Sequence, residues 1–145
     1  MTVGSAHSVE RTVHKTNEWL KDLEAELGIE DRDDSWRVLR GFLHTLRDRL
    51  TIDEGAQLAA QFPHLVRGVF YEGFDPGHQP ETYRDAETFL TRVAGEAAVE
   101  DPVQAGIAAA ACMRVLRRHI TAGELDDVLS QLPREIRDAL EPPDL

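Results

Sequence analysis

The sequence predicts an all-α protein of about eight helices, arranged as two tandem, pseudo-symmetric four-helix copies that share one core. Three observations predict it. Apolar residues recur at spacings of three, four and seven along most of the chain, the signature of one buried helix face. The intervening segments carry helix start and stop residues, and no alternating run is long enough for a strand. The chain also resembles itself at an offset of seventy residues. Over residues 16–70 against 86–140, with no gap, eleven pairs are identical: Leu20, Glu26, Glu30, Asp31, Leu46, Arg47, Thr51, Glu54, Gln61, Pro63 and Arg67 with their partners. A fixed period of this kind points to a repeated structural unit.

Each element has a local reason. Residues 1–8 are small and polar and are expected to be a disordered start. From Ser8 onward Val9, Val13, Leu20, Leu23 and Leu27 form one stripe, with Trp19 beside it, and Gly28 suits the position just past a helix end. The turn at 31–35 is rich in N-cap residues, and Ser35 reads as a helix-start residue. Trp36, Leu39, Phe42, Leu43, Leu46 and Leu50 carry the second stripe. Thr51 and Glu54 form a capping box, in which the hydroxyl accepts from the amide three residues on and the carboxylate reaches back to the threonine amide. Thr121 and Glu124 repeat it. These pairs have a structural reading and no catalytic one. The third helix runs to about Gln61, and Pro63 starts the fourth, which ends near Tyr71.

Copy one thus spans residues 9–72, a linker loop 73–82 and copy two 83–140. The linker region, with Gly73, Pro76, Gly77 and Pro80, is the strongest break in the chain. Gly73 and Gly77 are expected to supply positive φ. Copy two opens near Asp85, and Asp101-Pro102 is an N-cap followed by proline at the first helical position. The next helix is alanine-rich, so it is expected to be the central, most buried one. Residues 141–145 form a tail that is expected to fray. The whole reads as a single helical domain.

Composition bounds the function. The chain has 145 residues, 41% of them hydrophobic and 30% charged, with a formal net charge of −11. That balance describes a soluble globular protein and disfavours nucleic-acid partners, whose affinity comes mostly from Lys and Arg on phosphates. No apolar run approaches a bilayer span, and no secretory signal opens the chain. The single cysteine, Cys112, excludes an internal disulfide and sits among alanines as a core residue. A cytoplasmic location is the resulting expectation, with no membrane and no cofactor.

The segment 46–75, with its "LRDRL" and "QFPHLVRGVFYEGFDP" runs, and the later "LPREIRDAL" run resemble the bacterial family named domain of unknown function 2267. The stretch from Tyr71 to Pro76 is the most specific part, with Phe74 where members often have Trp. The resemblance covers residues 16–140. It implies a small all-helical protein and no particular activity, cofactor or partner.

Candidate sites are few. Tyr71, Glu72, Phe74 and Asp75 lie on the connection, where carboxylates and aromatics could meet a partner or ligand. Adding His64 and His78 makes an alternative metal set of His64, Glu72, Asp75 and His78, although their spacing matches no defined motif. The repeated arginines Arg67 and Arg137 could bind two anionic groups related by the pseudo-twofold. Arg47 and Arg117 suit the negative ends of corresponding helices. No nucleophile elbow, phosphate loop or dinucleotide fingerprint is present. The segments after Thr51 and Thr121 mimic a helix-turn-helix arrangement, but they carry Asp53, Glu54, Glu124, Asp126 and Asp127, the wrong sign for DNA. The expected function is that of a non-enzymatic cytoplasmic module that binds a protein partner or itself. The alternative is a small-molecule- or metal-binding enzyme with its site at the connection.

Overall fold

A computed structural model describes residues 6–142. These residues form eight α-helices and no strand: α1 (His7–Leu27), α2 (Arg32–Arg49), α3 (Ile52–Ala59), α4 (His64–Phe70), α5 (Ala86–Ala97), α6 (Pro102–His119), α7 (Ala122–Ser130) and α8 (Arg134–Leu140). A short 3-10 turn, Pro76–His78, lies in the connection between α4 and α5. The disordered start expected over 1–8 is corrected at its end, since His7 and Ser8 are already helical, and residues 1–5 lie outside the described part. Of the expected fraying tail, residues 143–145 also lie outside it. Glu141 accepts two hydrogen bonds from Arg117, at 2.6 and 2.7 Å.

The punctuation does what the residue types dictate. Asp31, Asp85 and Asp101 each accept a hydrogen bond from the amide three residues on. Thr51 and Thr121 do the same for Glu54 and Glu124. Each accepted bond satisfies one of the four orphan amides of a helix start. The turn expected at 31–35 is shorter than anticipated: α2 begins at Arg32, and Ser35 is buried in its first turn.

At the offset of seventy, α2 and α6 coincide at both ends, as do α4 and α8; α1 and α5 end together, and α3 and α7 start together. The packing is interleaved. α1 lies against α6, and α5 lies against α2, so each half's first helix covers the other half's second. α3 meets α7 directly. α2 and α6 pass through the middle of one continuous buried cluster that draws on both halves. The alanine-rich α6 is therefore not alone at the centre: eleven residues of α2 are buried against nine of α6. A tight approach involves α2 and α5. A Cβ at Gly41 of α2 would stand 2.5 Å from the Ala97 nitrogen and 2.7 Å from its Cα.

α1 is nine residues longer at its start than α5. Its apolar stripe outruns the core there, so Val9 and Val13 are exposed instead of buried, while Trp19, Leu20 and Leu23 lie inside. Cys112 is buried, and burial pushes its thiol up, as suits an inert core residue. No described helix is long and apolar enough to cross a membrane.

Candidate functional site

The connection is held down by the end of α2. Arg47 is 5% exposed, and its guanidinium donates to the carbonyls of Phe70 (2.9 Å) and Glu72 (2.6 Å) and to Asp48 (2.9 Å). The same group lies 5.8 Å above the Phe74 ring. A line of edge-on aromatic contacts runs outward from the core through Trp19, Phe62, Phe70, Tyr71 and Phe74, with centroids 5.2–5.5 Å apart. Further along, Gln79 donates to the Arg47 carbonyl and the Glu81 amide to the Asp48 carbonyl. Arg49 donates to the Tyr83 carbonyl. Tyr71 and Phe74 thus hold the connection to the body of the protein.

Glu72 pairs with Arg40, and Asp75 caps the 3-10 turn by accepting from Gly77 at 3.0 Å. Gly73 does adopt positive φ, at 71°. Gly77 does not, because its amide is engaged by Asp75 inside that turn. Asp75 and His78 approach at 3.3 Å on the exposed surface. The alternative metal set does not converge. His64 opens α4 and Glu72 follows its end, so a helix rising about 10 Å separates them. Among the described residues no group of three or more His, Cys, Asp and Glu is placed to hold a metal.

The arginines of the two halves diverge. Arg67 donates to the carbonyls of Ala59 (3.0 Å) and Ala60 (3.2 Å), closing the end of α3. Arg137 is exposed beside Arg117, Asp126 and Glu141 in an open polar hollow. The pair is therefore not arranged as two equivalent anion sites: one guanidinium serves a helix end and the other faces a mixed-charge surface.

A second constellation, missed from sequence, lies where α3 meets α7. The Thr121 amide and hydroxyl bond to Gln61, at 3.0 and 3.2 Å, and the Thr51 hydroxyl bonds to Gln131 at 3.3 Å. Each cap threonine thus contacts the glutamine of the other half. The expected return arms are corrected in both capping boxes: the Thr121 amide is taken by Gln61 and not by Glu124, and Glu54 does not bond back to the Thr51 amide. The two box glutamates are left at the seam. Glu54 is 7% exposed, and the Oε1 atoms of Glu54 and Glu124 are both buried without a hydrogen-bond partner among the described residues. Burial pushes the Glu124 carboxyl up to about 7, reinforced by a hydrogen bond with Glu54, the Glu54 charge and that of Asp127. The available signal was the exact repetition of Thr, Glu and Gln at the offset of seventy. Local capping explains the threonine and glutamate without any partner, so the repetition alone does not point to a contact between the halves.

Fold and site together define a small helical protein with two interlocked halves and a strapped connection. The chain belongs to the family described as uncharacterized conserved protein (DUF2267), which it matches over residues 16–139. No curated protein matches it.

Proposed function

We propose that this chain is a non-enzymatic, cytoplasmic helical module, a fused pair of like four-helix units, that works by binding a protein partner or a second copy of itself. One observation carries this reading. Val103 and Ile107, one turn apart on α6, are 72% and 55% exposed. The positions seventy residues earlier hold Asp33 and Arg37, also exposed, so this place in the fold accepts charged residues. Exposed aliphatic side chains there are not required by the core, and adjoining apolar surface of this kind is typical of interaction faces.

This face replaces the connection as the favoured surface. Tyr71 and Phe74 pack against neighbouring rings, and Arg67 is engaged by α3 carbonyls, so of the candidate partner residues Glu72, Asp75 and Arg137 are the outward ones. Nucleic acid stays an unfavoured partner, because Asp53, Asp126 and Asp127 are exposed on α3 and α7.

A double variant, Val103→Asp with Ile107→Arg, copies the charge types of the first half onto α6 and is expected to fold. Sedimentation and partner capture would be compared with wild type. Loss of self-association or of a retained partner supports the reading. Identical sedimentation and identical capture by the two proteins would overturn it.

A further inference from the structure

We infer that Glu54 and Glu124 share a single proton and form a pH-dependent clasp between the two halves, closed while the proton is bound and loosened when it leaves. The geometry is particular. α3 and α7 pack on one another, and the two carboxyls occupy the third position of equivalent helices, facing one seam. Glu54 is more than nine-tenths buried, and an oxygen of each carboxyl lacks any donor among the described residues. The neutral hydrogen bonds around them, Thr121 with Gln61 and Thr51 with Gln131, are made with one another and not with either carboxyl.

Two carboxylates cannot both ionise cheaply in such a place. Burial disfavours each charge, and each charge disfavours the other. One proton resolves both costs, since a neutral carboxyl donates to its ionised neighbour. The surrounding charges do not supply an alternative. On α7, Asp127 adds to the negative field, and Asp126 faces Arg117 at 3.4 Å. Arg117, from α6, is held by Glu141 as well. On α3, Asp53 is exposed to solvent. No cation from the described elements answers the pair.

The sign follows from linkage. A carboxyl whose folded pKa lies above its ordinary value binds a proton in the folded state that the unfolded chain has released. The stabilisation is fully present below the ordinary value of 4.5 and is lost as pH rises through about 7. Loss of the proton leaves two charges at the seam, and the α3–α7 contact is where the strain falls. Thr121–Gln61 and Thr51–Gln131 are the bonds it would loosen first.

The test compares the full-length chain with Glu124→Gln and, separately, Glu54→Gln, in chelator-containing buffers. A glutamine amide imitates the protonated acid, donating to the remaining carboxylate at every pH. Wild type is expected to lose melting temperature between about pH 4.5 and about pH 8, whereas Glu124→Gln holds its value and stands about 5 °C above wild type at the alkaline end. Amide exchange over residues 52–59 and 122–130, corrected for intrinsic rate, should quicken with pH in wild type only. Parallel melting curves would overturn the clasp. So would side-chain carbon NMR in which Glu124 titrates near its ordinary value of 4.5, a measurement that needs no variant. If calcium or magnesium chloride without chelator raises the melting temperature of wild type but not of Glu124→Gln, the pair holds a cation and the shared proton is wrong.

Discussion

Arg47 closes α2 and Arg117 closes α6 seventy residues later, yet the first guanidinium is buried and the second lies at the surface. Both sit in the same local frame, in the last turn of a helix that is followed by a threonine cap. What differs is the chain that comes next. After α4 the connection folds back over the end of α2, and Arg47 answers its carbonyls at Phe70 and Glu72. Beyond α8 the chain does not fold back in this way over the described residues, and Arg117 is met by the side chains of Glu141 and Asp126. A helix position therefore sets where a side chain starts, while the covering segment decides whether it becomes a buried strut or a surface ion pair. The same divergence recurs at Gly41, which touches Ala97, where the equivalent position is Ala111.

The largest expected effect tests this contrast. Arg47→Ala leaves one buried and one part-buried carbonyl without this donor and empties the space beneath Phe74, and should cost about 3 kcal/mol in urea unfolding. Arg117→Ala removes an exposed ion pair and should cost less than about 1 kcal/mol. Equal losses would break the comparison.

The helix crossing comes next. Gly41→Ala drives a methyl into the Ala97 backbone and should cost about 2 kcal/mol, since backbone cannot yield as a flexible side chain does. Ala111→Gly, at the equivalent place in α6, should cost only about 1 kcal/mol through helix propensity and lost contact. Thermal melts of the two variants would sharpen the contrast between α2·α5 and α1·α6.

A smaller effect with opposite signs is expected at the helix ends. Gly28 after α1 and Ala98 after α5 are equivalent, and both are left-handed, with φ of 71° and 54°. Alanine tolerates that region poorly. Ala98→Gly should therefore stabilise by about 0.5–1 kcal/mol, and Gly28→Ala should destabilise by about 1 kcal/mol. The two shifts in denaturation midpoint would show that the halves share a termination geometry although only one uses the favoured residue.

Much of the fold was legible because its causes are local. The stripes of Leu20, Leu23 and Leu39, the aspartate and threonine caps, Pro102 and Gly28 act within a turn or two of their own positions, and the helices stand where these residues require. The candidate site was legible only in part. Tyr71 and Phe74 could be read as anchors of the connection, but the roles of Arg47 and Arg67 depend on carbonyls supplied by segments 23–25 and 7–8 residues away. Nothing local marked Val9 and Val13 as exposed, because helix periodicity identifies a face without saying how far the covering layer extends.

The sequence by itself determined the all-helical class, the capped helix starts at Thr51, Asp101 and Thr121, and a pairing of positions at an offset of seventy, since each rests on backbone propensity and short-range hydrogen bonds. The tertiary structure alone decided that α1 covers α6 and α5 covers α2, and that α3 meets α7 across a seam. Those contacts join residues far apart in the chain, and their energies come from burial and desolvation, which exist only once the helices have packed.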